Sequence, residues 1–140
     1  METDLTNVEN MRAVGLRPTR QRLALARLLF GHGNQHVTVE TLFEQAQMAG
    51  IKVSLATVYN TLHQFTDAGL LRQVMVDTPR SYFDTNITDH HHFYFEDTGK
   101  IADIPHDRIN QQINDISPTI LPAGTSLSRV DVVVRLRGAE

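Results

Sequence analysis

Histidines and carboxylates crowd one stretch of this chain. From Asp84 to His92 the order is Asp-X-X-X-X-X-His-X-His, within the run His90-His91-His92, and His36 stands upstream. On an extended backbone successive side chains face opposite ways, so His90 and His92 share one side and His91 takes the other. Asp84, His90 and His92 are therefore candidate ligands for a divalent ion. Nitrogen and oxygen donors without sulfur suit Zn²⁺, Mn²⁺ or Fe²⁺ and do not choose among them. A polar linking segment also tolerates solvent-facing histidines, and spacing alone does not separate the two readings. His32 and His106 read as surface residues, and His63 as a surface residue or a contact to a nucleic-acid base or phosphate.

A hydrolytic zinc with an open coordination position would use similar ligands. No Glu sits where a general base belongs, and no set of glycines or serines accompanies the cluster to shape a pocket. The elements in front of the cluster also have no role in an enzyme. A metal-dependent hydrolase is the weaker alternative.

Those elements centre on residues 54–71, SLATVYNTLHQFTDAGLL. Ser54 is a good N-cap, because its hydroxyl can accept from an orphan N–H of the first turn. Leu55, Val58, Leu62 and Phe65 recur at helical spacing and make an apolar stripe. Thr57, Tyr59, Asn60, His63 and Gln64 fill the opposite side, and Gly69 is placed to stop the helix. A helix with an apolar back and an uncharged, hydrogen-bonding front suits the DNA major groove. It also suits an ordinary amphipathic surface helix. Its neighbours favour the first reading.

Residues 1–9 are polar and read as frayed, with a short helix over Val8, Met11 and Val14 that Gly15 ends. Thr19 caps a helix whose apolar face is Leu23, Ala24, Ala26, Leu28, Leu29 and Phe30. Thr38 caps another, with Val39, Leu42, Phe43, Ala46 and Met48 inside and Gly50 at its end. Three helices with a tight link between the last two make a helix-turn-helix pattern. Residues 71–76 and 81–84 then read as a β-hairpin, a wing on which Arg72 and Arg80 would grip phosphate.

Residues 85–89 look like a hinge into a second unit. There residues 92–95 and 100–104 read as strands around Asp97-Thr98-Gly99. Pro105 opens a helix running to about Ile116, and residues 126–136 form a β-branched strand. The expected fold class is α+β, with a winged helix-turn-helix DNA-binding domain over residues 1–84 and a small α/β domain over residues 85–140. The second domain has too few apolar residues to be comfortable alone, so a second copy of the chain is its expected partner.

Composition limits the function classes. The 140 residues contain no cysteine, which removes disulfides, thiolate catalysis and Cys-ligated structural zinc. No apolar run is long enough to span a bilayer, and a cytoplasmic location is the default expectation. The formal charge of −3 hides an asymmetry. Residues 10–39 hold no acidic residue but carry Arg12, Arg17, Arg20, Arg22 and Arg27. The back of the chain is acidic. Phosphate binding needs a local basic patch, not a basic whole.

The segments GLRPTRQR, HVTVETLF, SLATVYNTLHQFTDAGLL and DHHHFYFEDTGKI, in this order, resemble the Fur superfamily of metal-responsive regulators. YFDTN, the histidine run and VDVVVRLRG are most similar to its Irr (iron response regulator) branch. The resemblance implies a homodimer, its second domain serving dimerisation, that binds AT-rich operators of iron and haem genes on double-stranded DNA, mainly as a repressor. It implies DNA contacts from Arg17 and from Tyr59, which matches the family's recognition-helix tyrosine; Arg20 and Arg22 of the basic stretch and Thr57, Asn60 and His63 of the polar helix side are further DNA-binding candidates. Arg17 matches a residue that enters an A·T-rich minor groove, where the negative potential is stronger. Asn60 departs from the family's usual Arg, which removes one charge from the recognition helix.

The family's hinge metal site maps onto His36, Asp84, His90 and His92. A second site maps onto Asp89, His91, Asn110 and Val130; the last two cannot replace Glu and His, so that site is degraded. Irr-like proteins are also linked to haem, and His90, His91 and His92 are candidate axial ligands. The Cys-Pro haem motif of some members is absent. The expected function is an iron-responsive regulator whose DNA affinity follows haem or a divalent metal (Fe, Mn or Zn) at the histidine-rich hinge. A Fur-like regulator using the metal as co-repressor is the alternative.

Overall fold

A computed structural model describes residues 2–75, 81–88, 91–105, 120–127 and 130–138. The chain divides into two units, Met1–Ile87 and Thr88–Glu140. The first unit is helical up to its closing sheet: α1 Glu2–Ala13, α2 Arg20–Phe30, α3 Val39–Met48 and α4 Leu55–Asp67. Hydroxyl caps start three of these. Thr19 accepts from the Arg22 N–H at 3.1 Å, Thr38 from Thr41 at 3.1 Å and Ser54 from Thr57 at 3.1 Å. At Thr38 the Thr41 hydroxyl returns the favour to the Thr38 N–H at 2.8 Å, a reciprocal capping box. Gly69, at φ +85°, ends α4: its N–H reaches the Thr66 carbonyl and that of Leu70 reaches Phe65. This Schellman arrangement needs a left-handed residue, which glycine supplies without steric cost.

The helices close over Met11, Leu25, Leu29, Leu42, Ala46, Val58, Leu62 and Phe65, all buried. Each large side chain fully removed from water contributes roughly 1.5–3 kcal/mol. An antiparallel sheet of strand order β1-β3-β2 completes the unit, with β1 His36–Val37, β2 Arg72–Met75 and β3 Ser81–Asp84. The central strand β3 sets Asp84 opposite both His36 and Arg72. Val37 and Phe83, also cross-strand partners, join the helical core.

Several details correct the sequence reading. The N-terminal segment is helical from Glu2, because Asp4 and Arg27 form a two-point ion pair at 2.6 and 2.8 Å and Met11 is buried. Met48 is 90 % exposed rather than inside, since it falls on the last turn of α3, beyond the packed Leu42 and Ala46. Leu55 is 47 % exposed, and Thr61 takes its place on the buried side of α4. Leu25 is buried as well, although the expected apolar face comprises Leu23, Ala24 and Ala26 around it. Arg72 is buried beside Asp84 in register, so it does not present its charge to phosphate. Arg80 and the hairpin turn lie outside the described residues.

The second unit holds a three-stranded sheet of order β5-β4-β6: β4 His92–Phe95, β5 Lys100–Asp103 and β6 Val133–Leu136. β4 and β5 form the expected hairpin, pairing His92 with Asp103 and Phe95 with Lys100. β6 runs parallel to β4, with His92 opposite Val133. It is four residues long, shorter than the expected 126–136, because β4 offers only four residues to pair with. Asp97 in the hairpin turn accepts from the Gly138 N–H at 2.7 Å, and Arg135 lies over the Tyr94 ring at 5.3 Å. The expected helix after Pro105 lies outside the described residues. Among the described residues no helix is long and apolar enough to cross a membrane.

Candidate functional site

In the first unit, strand pairing makes the site. β1 and β3 lie side by side, so His36 and Asp84 are cross-strand partners, and His36 Nε2 lies 3.0 Å from Asp84 Oδ2. The other oxygen, Oδ1, accepts from the Asn86 N–H at 2.9 Å. Asp84 has 0 % exposed surface and His36 is mostly covered. A buried carboxylate is tolerated only when paired and hydrogen-bonded. The backbone of the segment is fixed as well, since the Thr85 N–H donates to the Gln35 carbonyl at 3.0 Å and the Gln35 N–H to the Thr85 hydroxyl at 2.8 Å.

In the second unit the β4–β5 register places His92 beside Asp103, with Nε2 3.4 Å from Oδ1. His92 is 2 % exposed, and its N–H donates to the Val132 carbonyl at 3.0 Å. His91 has a different partner. It is buried, and its Nδ1 accepts from the Val132 N–H at 3.0 Å. His90 and Asp89 lie outside the described residues, as does Asn110.

Sequence reasoning missed Asp103. Counting back from the Asp97-Thr98-Gly99 turn along the hairpin leads from Phe95–Lys100 to His92–Asp103, so the signal was there in the strand register. Among the described residues, His36 and Asp84 in the first unit and His92 and Asp103 in the second each offer one ligand atom. Each pair offers one imidazole nitrogen and one carboxylate oxygen, donors of the kind a first-row divalent cation takes. Neither pair contains sulfur, and the chain has no cysteine to add any.

The other candidate residues line the outer surface of α4 and the start of α2. Tyr59 is 52 % exposed and Asn60 and Gln64 are exposed beside it. Thr57 is half-buried with its hydroxyl 2.9 Å from that of Ser54, so it serves the cap first. His63 is half-buried between two rings, 4.3 Å from Tyr59 and 5.3 Å edge-on from Phe83. Arg17 and Arg20 are exposed, whereas Arg22 is half-buried and bonded to Arg17 and Gln64. Arg27, part of the same basic run, is committed to Asp4.

Comparison with known proteins places these features. Residues 13–123 match the model of the ferric uptake regulator family. The chain is 32 % identical over 112 residues to the ferric uptake regulation protein of Haemophilus influenzae, covering 79 % of this chain and 77 % of that one. It is 30 % identical over 105 residues to the peroxide-responsive repressor PerR of Staphylococcus aureus, covering 75 % and 70 %. Among solved structures it is similar to the ferric uptake regulator of Pseudomonas aeruginosa with manganese. That match has a TM-score of 0.77 at 26 % identity and covers 96 % of this chain and 98 % of the other. The chain belongs to the ferric uptake regulator family, whose members regulate transcription in response to metals and are not enzymes.

Proposed function

We propose that this chain is a homodimeric, divalent-metal-responsive regulator of transcription that reads AT-rich operator DNA with α4. The observation that carries the reading is the two imidazole–carboxylate pairs, His36–Asp84 and His92–Asp103, one in each unit and both largely shielded from water. His90, two residues before His92, is the remaining candidate ligand. A bound divalent cation would be held by these imidazole and carboxylate donors and would supply the positive charge that the carboxylates balance. The chain's own contribution is to hold each carboxylate beside an imidazole before any ion arrives, through strand register in both cases.

On this reading the first unit is a winged helix. Val58, Leu62 and Phe65 fix α4 to the core, and Tyr59 and Asn60 face the major groove. The β2–β3 hairpin is the wing, and exposed Arg17 and Arg20 supply phosphate or minor-groove contacts. The second unit serves dimerisation, and its exposed Phe95, Ile120 and Leu127 support that role. Two recognition helices, one from each copy, then meet half-sites about one helical turn apart, so the spacing of the two DNA-binding heads sets affinity.

Haem-controlled release, as the Irr-like motifs imply, is carried by the histidine run alone. His91 and His92 are buried and bonded to Val132 and beside Asp103, which favours a small ion over a macrocycle. Fluorescence anisotropy with an AT-rich inverted-repeat duplex at fixed salt tests the choice, using metal-free, Mn²⁺-loaded and haem-loaded protein in turn. Tight binding only with Mn²⁺, lost in a His36→Ala, His90→Ala double variant, is the expected result. Binding by the metal-free protein that haem releases would overturn the metal reading in favour of the Irr-like one. Equal binding in all three states would remove the histidines from regulation altogether.

A further inference from the structure

Arg22 is counted by its charge and position among the residues that would grip DNA, yet its hydrogen bonds point inward along the protein surface. Nη1 donates to the Arg17 carbonyl at 2.8 Å, and Nη2 donates to Gln64 Oε1 at 3.0 Å. The two acceptors belong to different elements. Arg17 lies in the connection between Gly15 and the Thr19 cap of α2, and Gln64 lies on α4, one turn beyond Asn60. Asn60 and Gln64, four residues apart, share a helix face.

From these bonds we propose that Arg22 is a positioning residue: it fixes the Arg17 segment against α4 so that both present to one ligand. A guanidinium is a planar fork that holds two acceptors in one geometry, which a lysine ammonium cannot do. The backbone around Arg17 is already narrowed, because Pro18 biases the residue before it toward extended conformations. The Thr19 cap then fixes where α2 begins. Arg22 removes the remaining freedom by tying the Arg17 carbonyl to Gln64. The Arg17 side chain, exposed, is left to reach outward from an anchored backbone.

This inference rests on the reading of α4 and Arg17 as DNA-facing. It assigns Arg22 to geometry and not to phosphate neutralisation, and the two roles have different signatures. A lost phosphate contact lowers the slope of log affinity against log salt by about 0.9 and is largely restored by lysine. A lost fork leaves the slope unchanged, weakens discrimination of A·T from G·C at the position Arg17 reads, and is not restored by lysine.

The test uses the full-length metal-loaded protein and two inverted-repeat duplexes, one with A·T and one with G·C pairs flanking each half-site. Wild type, Arg22→Lys, Arg22→Ala, Gln64→Ala, Arg17→Ala and the Arg17→Ala, Arg22→Ala double variant are compared across a salt series. Arg22→Lys and Arg22→Ala should each lose about tenfold in A·T preference, the scale of one charge-assisted hydrogen bond, with the salt slope kept. Gln64→Ala, which leaves α2 intact, should lose part of it, and the double variant should add little to Arg17→Ala alone. Hydrogen exchange without DNA should show faster exchange over residues 15–19 in Arg22→Lys, with α4 unchanged. A salt slope reduced by about one with Arg22→Lys near wild type would make Arg22 a phosphate contact and overturn the proposal. Unchanged exchange over residues 15–19 would overturn it without reference to DNA. If exchange rises but the wild type binds neither duplex above random competitor, the tie stands and the DNA reading fails.

Discussion

Asp84 has no solvent to fall back on. Its carboxylate is held by the His36 imidazole and the Asn86 N–H. Removing the imidazole while keeping the acid strips a fully buried carboxylate of a direct partner, at a cost of roughly 2–3 kcal/mol. Urea unfolding of metal-free His36→Ala at neutral pH should show that loss, and adding Asp84→Asn should recover part of it. Asp103 makes a second case, since it has no place in the ligand set implied by the family resemblance. Mn²⁺ at a hundredfold excess over its dissociation constant should stabilise the wild type by about 2.7 kcal/mol through mass action. If Asp103 is a ligand, Asp103→Ala should lose most of that gain in a thermal melt. An undiminished gain would return Asp103 to a role of orienting His92.

At the scale of elements, α1 is the least obvious from sequence and depends most on one pair. The Arg27 guanidinium beside Asp4 holds the Asp4 carboxyl below the usual aspartate range. A depressed acid stabilises the fold above its unfolded pKa, and that contribution is lost as pH falls through the folded value. Docking of α1 should therefore persist through neutral and mildly acidic pH and weaken only below about pH 4. Hydrogen exchange over residues 5–12 would show this, and Asp4→Asn should flatten the dependence. Gly69→Ala should cost about 1 kcal/mol in urea unfolding, because an L side chain is strained at that left-handed position. Met48→Lys should change stability by no more than about 0.5 kcal/mol, since nothing packs around an exposed side chain at the end of α3.

The same elements show what a reader of the sequence can and cannot extract. Ser54, Thr38 and Thr19 announced their helices because capping is local chemistry, written within four residues. The hairpin of β4 and β5 was legible from its turn. β1 was not, since two residues carry no periodicity and the strand exists only because β3 lies beside it. The first turns of α1 were missed for a related reason: they are polar, and the Arg27 that anchors them is more than twenty residues away. Leu55 and Met48 were misplaced because a helical stripe predicts a face but not where the neighbouring helix stops. For the ligand set, His36 and Asp84 came from family resemblance and motif spacing, whereas Asp103 needed strand register to emerge.

For the whole molecule, the buried apolar cluster lies within the first unit, so damage to it should be felt there first. Leu62→Ala removes a fully buried side chain from the helical core and should destabilise the first unit by about 2–5 kcal/mol. Chemical shifts of β4, β5 and β6 in metal-free protein should stay near wild type, whereas global loss of those signals would show that the second unit cannot fold without the first. The two sheets also differ in when their strands become available. In the first unit β2 and β3 are neighbours in sequence, but β4 waits for β6, about forty residues further on, a span whose closure carries an entropy cost that grows with its length. During synthesis at about 5–20 residues per second, β4 can pair with β5 almost at once and then shows a bare edge for several seconds. An unpaired strand edge is a template for other chains. A chain cut short before β6 would keep a finished helical unit joined to an open strand edge, a species that quality control must catch before it meets another like itself.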